Sequence, residues 1–396
     1  MKSTTSQQIR GRIHQISTKN SQPRARDLGI PFGGAPGAHN AITDVPGVEV
    51  GYVTLHEGAD VRTGVTAILP RGKSGVGVAC AAGTYSLNGN GEMTGSIWLE
   101  EVGAVSTPIM ITNTHAVGPI HRGVIDWVNE YMPSLAAQWL LPVVAETWDG
   151  YLNDINGPHI QPAHAKDAIN SAHGGAIAEG SVGGGAGMNC YEFKGGSGTS
   201  SRQVKYGPDD YLVGAFVQAN FGSRDELTIA GVPIKNTGTP NPLGESDWFK
   251  EDLAGGKFSG GAGSVIVIIA TNAPLLPAQC KALARRVPLG LARTGTTGSH
   301  FSGDIFLAFS TANQGALISK FPLAEPTRDD YDHFTSIPWG NMDAFYTATV
   351  QAVEEAVINA LVVNQDCTGR NGHRSYALPH DKVVEALQKA SVLVTP

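Results

Sequence analysis

The chain has 396 residues, a formal net charge of −7 and 16% charged residues. It therefore lacks the basic footprint of a nucleic-acid binder, while its length admits either two average domains or one large one. Its 50 glycines exceed the usual share of about 7% and fall in many separate loops without a collagen-like period, which predicts numerous tight connections.

Met1 to Arg26 is polar and basic and lacks the apolar core of a secretory signal. Residues 1–25 are expected to form a disordered or subunit-draping arm ahead of one domain over 26–396. No later run reaches membrane-spanning length, so a soluble, cytoplasmic protein without membrane or nucleic-acid partners is expected. Cys80, Cys190, Cys280 and Cys367 show neither a CxxC spacing nor a neighbouring histidine pair. They are read as reduced thiols, with no zinc and no disulfide framework.

From Ala41 to Leu69, short β-branched runs alternate with Pro-Gly and Gly punctuation, the pattern of strands joined by tight turns. GVGVACAAGTYSLNGN extends the sheet into a polar loop over Asn88 to Glu92, and STPIMITNT adds a strand that ends at His115. His115 and His121 have no partner at ligand spacing and are read as structural. Helical spacing runs from Pro119 to Met132. The apolar run from Trp139 to Ala145 then leads into Glu146, a carboxylate that needs water or a cationic partner at the end of a buried strand. An arginine or a substrate ammonium group meets that need. Trp139 is either a pocket wall or a core residue.

His173 to Gly198 is rich in glycine but lacks the strand, helix and GK[ST] of a nucleotide loop, so it reads as loops packed close to another backbone. The strand Tyr211 to Ala219 delivers Asn220, whose amide closes an Asx turn or donates to an oxyanion. Val232 to Phe258 reads as a long polar linker with little apolar content to anchor it.

The stretch GGKFSGGAGSVIVIIAT, Gly255 to Thr271, places Gly263-Ser264 directly before the buried strand Val265 to Ile269. Ser264 either caps that strand or attacks the Gly263 carbonyl in self-cleavage. In the second case the freed α-amine, with a pKa of about 8, serves as the base for its own hydroxyl. Further on, Pro277 to Thr294 is helical but disturbed at Pro288, with a basic face of Arg285, Arg286 and Arg293. Ser302 and Asp304 precede the strand DIFLAFS and form either a simple turn or a relay to a nucleophile. His300 invites a Ser-His-Asp triad that an N-terminal amine makes unnecessary. Asn341 to Val363 has the apolar stripe of a long helix with Glu354-Glu355 on a solvated face, and Leu378 to Ser391 has that of a last one. The pattern alone supports α/β.

Ser264 to Arg293 and GSHFSGDIFLAFSTAN resemble the DmpA/BapA family of self-processing aminopeptidases, and RDLGIPFGG, HNAITDVPGVEVGYVTL, AETWDGYLNDING and LVGAFVQANFGSRDELTIAGVP fit it in order. The resemblance covers about Arg26 to Leu378. It implies a four-layered αββα sandwich, Ntn-hydrolase-like with distinct strand connectivity, cleaved between Gly263 and Ser264 into chains 1–263 and 264–396. It further implies Ser264 as nucleophile, Asn220 in the oxyanion hole, Ser302 and Asp304 as supporting catalytic residues, and Glu146 as the holder of the substrate's free α- or β-amino group. Trp148 stands where the aminopeptidase that names the family has a tyrosine, so that hydroxyl's role passes to Tyr151 or a water.

The function implied is release of an N-terminal residue of α-L, β or D-Ala type from small peptides, amides or esters. No cofactor is needed, and a homo-oligomer, a tetramer of cleaved heterodimers, is expected. The alternatives are an endo-amidase of the nylon-hydrolase type or an acetyltransferase of the ornithine type, both of which use threonine, and a non-catalytic binding protein with an uncleaved chain.

Overall fold

The computed structural model describes residues 23–137, 139–246, 248–253, 261–319, 321 and 324–394. Most of the arm expected over 1–25 lies outside them. Of its last residues, Arg24 pairs with Glu179 and Ala25 is buried.

The chain opens with β1 (Glu49–Glu57), β2 (Val61–Leu69), β3 (Cys80–Ser86), α1 (Ser96–Val102), β4 (Ala104–Val105) and β5 (Ile109–Asn113). Next come α2 (Val117–Tyr131), α3 (Pro133–Ala136), β6 (Val143–Thr147) and α4 (Pro162–Ser171). The middle holds β7 (Asn189–Cys190), β8 (Phe193–Lys194), β9 (Gly196–Tyr206), β10 (Asp209–Gly222), β11 (Thr228–Ile229), β12 (Val232–Pro233), α5 (Pro242–Glu245) and α6 (Trp248–Leu253). The last part is β13 (Gly261–Thr271), α7 (Pro277–Ala284), α8 (Val287–Ala292), β14 (Gly303–Ser310), α9 (Asp343–Val362) and α10 (His380–Lys389), apart from short turns.

Two main sheets result, one ordered β1-β2-β5-β6 and one ordered β4-β3-β14-β13-β10-β9, beside small two-stranded ladders such as β7-β8 and β11-β12. The Ser264 strand is interior, antiparallel to β10 and parallel to β14. Its unbroken apolar run follows from burial on both faces. Ile266, Ile268 and Ala270 join the core between the sheets, while Val265, Val267 and Ile269 face the helices. That outer core holds α7 to α10, and a third core packs α2 and α4 on the smaller sheet, which completes four layers, αββα.

Several boundaries differ from expectation. β13 begins at Gly261, so Ser264 lies inside the strand rather than at its mouth, and β6 likewise takes in Glu146. The helix expected over 277–294 is two helices separated by Arg285 and Arg286, because Pro288 cannot continue the first ladder. β9 and α4 go unread in the sequence, β9 because its first half is Gly and Ser.

Two expectations are overturned. Of the segment 232–258, the described residues 232–246 and 248–253 are anchored, since Trp248 is 2% exposed and packs on Tyr151 with ring centroids 5.0 Å apart. Glu355 is not on a solvated face but fully buried, where it accepts hydrogen bonds from Arg26 and Arg202 at 2.6–2.8 Å. The reason is that α9 is buried over most of its circumference, so only a carboxylate with cationic partners is tolerated there. Glu354, by contrast, meets Arg293 at the surface.

Candidate active site

The larger sheet brings four of the expected residues together. On one side of β13, Asn220 stands directly opposite Ser264; on the other, Ser264 pairs in register with Gly303, which separates Ser302 from Asp304. Gly263 is required by close approach rather than by an unusual φ, because a Cβ there would lie 2.0 Å from the Asn220 carbonyl oxygen.

Ser264 is 2% exposed, and its Oγ accepts a hydrogen bond from the Trp148 backbone N–H at 3.2 Å. This donor has no side-chain signature and is invisible in the sequence. The Asn220 amide is held at both ends: its Oδ1 accepts from Asn189 N–H at 2.9 Å, and its Nδ2 donates to the Trp148 carbonyl at 2.8 Å. An amide nitrogen has two hydrogens, so one remains for another acceptor. Asn220 and the Trp148 peptide thus form one clamp beside the Ser264 hydroxyl.

The Ser302 hydroxyl donates to Asp304 Oδ1 at 2.5 Å. Asn88 holds the other carboxylate oxygen at 3.0 Å and accepts from Asp304 N–H at 2.6 Å. In the sequence Asn88 shows only as part of a polar loop, and its one signal is a short polar side chain just after a strand. Burial pushes the Asp304 pKa up, against the pull of the Ser302 and Asn88 bonds.

Glu146 is also 2% exposed. One oxygen accepts from Glu92 N–H at 3.0 Å and the other from the Thr114 hydroxyl. No arginine is among these partners, and burial raises its pKa. Gly91 lies between this carboxylate and β14: a Cβ on it would stand 3.2 Å from Glu146 Oε1 and 2.9 Å from Gly303 Cα. Two glycine backbones therefore separate the acid from the β13–β14 seam.

The two tryptophans part company. Trp148 belongs to the site through its peptide, and its ring lies 6.3 Å from that of Trp248. The Tyr151 hydroxyl donates to the Arg374 carbonyl at 3.2 Å. Trp139 is elsewhere: it packs edge-on to Trp98 and Phe321 and lines an apolar cavity of about 340 Å³ that touches none of Ser264, Asn220, Glu146, Ser302 or Asp304. The cavity reaches β6 only at Val143, three residues before Glu146. His115 and His300 are both exposed.

Residues 40–375 match Peptidase family S58. The chain is 46% identical over 376 residues to the β-peptidyl aminopeptidase BapA of Sphingosinicella microcystinivorans, covering 93% of this chain and 92% of that one. It is 43% identical over 378 residues to the protein of the same name from Sphingosinicella xenopeptidilytica, covering 92% and 91%. Among solved structures, a Burkholderia β-aminopeptidase superposes with a TM-score of 0.83 at 42% identity, and the L-aminopeptidase D-Ala-esterase/amidase of Ochrobactrum anthropi with 0.83 at 41%. Each spans 94% of this chain and 100% of its own, and the second is described as a new variant among the Ntn hydrolase folds. The αββα arrangement here is that variant.

Proposed function

Because the chain belongs to peptidase family S58 and is a serine aminopeptidase with the Ntn-hydrolase fold, we propose that Ser264 is its self-released N-terminal nucleophile. The observation that carries this is the placement of one buried serine between the Asn220–Trp148 clamp and the Ser302–Asp304 pair, directly after a glycine that no other residue can replace.

In this reading Ser264 Oγ first attacks the Gly263 carbonyl, collapse of the tetrahedral intermediate breaks the Gly263–Ser264 C–N bond and frees the α-amine, and hydrolysis of the resulting ester releases the Gly263 carboxylate and restores the Ser264 hydroxyl. That amine then takes the hydroxyl proton as substrate is attacked and returns it to the leaving amine. The Trp148 N–H and the remaining Asn220 N–H stabilise the oxyanion. Ser302 and Asp304 hold the protonated amine, and Asn88 fixes Asp304. Water completes the cycle by hydrolysing the aminoacyl ester.

Glu146, which has hydrogen-bond donors but no cationic side chain among its bonded partners, binds the substrate's ammonium group, which explains a preference for unblocked N-termini. β-Residues are the first substrates to test, because two relatives over 40% identical are named for β-peptides. The domain over 26–396 works as a homo-oligomer, supported by exposed Ile97, Phe321 and Trp339. Its compartment is the cytoplasm, supported by four free thiols.

The test is intact mass under denaturing conditions with N-terminal sequencing, followed by hydrolysis of β-alanyl and L-alanyl amides with free and acetylated amino groups. Two chains whose masses account for the 41.4 kDa parent, the smaller beginning Ser-Val-Ile-Val, and turnover of the free amines alone are expected. A single chain that still turns over would mean that Ser264 works without its amine.

A further inference from the structure

Lys194 lies at the end of β8 with its side chain fully buried. Its Nζ donates to the backbone carbonyls of Gly195 at 2.7 Å and Met188 at 2.9 Å, with the Gly185 carbonyl at 3.5 Å. No carboxylate pairs with it among the described residues, and burial pulls its pKa down to about 8. Desolvation disfavours an ammonium group in such a place, a cost that an apolar side chain of the same length would avoid. The core therefore has no use for the charge as packing.

What the charge does is gather one piece of backbone. Gly185 and Met188 belong to the glycine-rich segment before β7, and Gly195 follows Lys194 itself. The peptide immediately after Met188 carries the Asn189 N–H that donates to Asn220 Oδ1. Without that donor only the Trp148 carbonyl would distinguish the two ends of the Asn220 amide, and its nitrogen would be held less firmly toward Trp148 and the nucleophile. Met188 is held a second time, its Sδ accepting from the Thr147 hydroxyl at 3.0 Å beside Trp148. Hydrogen bonds link the Lys194 ammonium, the Met188–Asn189 peptide, the Asn220 amide and the Trp148 carbonyl in series, and the Trp148 N–H, on the preceding peptide of the same residue, meets Ser264 Oγ.

We infer that Lys194 is a positioning residue for catalysis, acting through Asn189 N–H to set the orientation of the Asn220 amide and hence of the clamp on Ser264. The inference rests on the reading of Asn220 as an oxyanion donor. It assigns Lys194 no contact with substrate.

The test is a double-mutant cycle of Lys194→Met and Asn220→Ala, with rates divided by the amount of chain that begins at Ser264 so that any defect in self-cleavage is removed. Lys194→Met is expected to lower kcat roughly ten- to a hundredfold with KM held, since misdirection of one donor acts on the transition state and Glu146 lies on another element. In the Asn220→Ala background the same change is expected to lower kcat by less than about twofold, because the group it orients is gone.

Full multiplication of the two losses, or a loss confined to KM, overturns the inference for Lys194 alone. If Asn220→Ala keeps the parent kcat, the oxyanion reading falls and takes the inference with it. Should Lys194→Met give no folded protein, the cycle is read with Lys194→Gln, which retains a neutral donor, and the same two criteria apply.

Discussion

A serine hydroxyl inside a β-strand is a poor nucleophile until a base and an oxyanion site are brought to it. At Ser264 both depend on groups within two strands' width, so the consequences of single substitutions are sharp. Ser264→Ala is expected to give one uncleaved chain without hydrolysis, visible by intact mass; a cleaved product would remove Ser264 from both roles. Asn220→Ala should reduce kcat by roughly 10²–10³-fold, the usual loss for one oxyanion donor. Glu146 titrates above the ordinary carboxylate range, and only its ionised form attracts an ammonium group. Hence kcat/KM should fall as pH drops through that raised value, and Glu146→Gln should raise KM and flatten this acid limb; an unchanged KM would place the amino group elsewhere. Asp149, beside Trp148, behaves differently. Burial raises its pKa to about 7, whereas the unfolded carboxyl titrates near ~4. Between these values the folded protein binds the extra proton, so this residue's contribution to stability declines as pH rises through the window. Asp149→Asn should therefore gain Tm relative to the parent on going from about pH 5 to about pH 8; a constant difference in Tm would show that Asp149 is ionised in the folded state throughout.

Among the elements, the segment before β13 is the one whose behaviour the structure changes most. α6 docks through Trp248 on Tyr151, whose ring stacks on His373 at 4.7 Å. Removing such a ring costs about 3–5 kcal/mol, so Trp248→Ala should raise hydrogen exchange over 242–253 before it affects β10 or β14. Equal protection in both proteins would mean the segment is held by something else. α9 is tied to the N-terminal segment by Glu355, which is buried with Arg202 and also pairs with the half-buried Arg26. Leaving the buried Arg202 without its acid typically costs about 3–5 kcal/mol, and Glu355→Ala is expected to lower Tm accordingly.

At the scale of the whole molecule, the sheet order explains why a cut at Gly263-Ser264 would not separate the products. β13 and β14 would belong to the smaller chain, yet they lie between β3 and β10 of the larger one, and the ladders and both cores cross the cut. The native mass by light scattering is thus expected to be the same before and after processing, with the two chains parting only in denaturant. Among the described residues no helix is long and apolar enough to cross a membrane.

Sequence alone determined the elements whose signal is local. The run Val265 to Ile269, the β10 strand ending in Asn220, the Ser302–Asp304 spacing and the helix later seen as α9 are all legible, because a strand or helix writes its period into its own residues. Position in space is not local. That Trp148 serves the site by its backbone while Trp139 lines a separate cavity, that Asn88 holds Asp304, that Glu355 is buried and that Lys194 reaches the clamp on Ser264 were decided by tertiary packing. Backbone donors carry no residue code, and the charge of a buried side chain acquires its meaning only from partners that lie tens to hundreds of residues away in the chain.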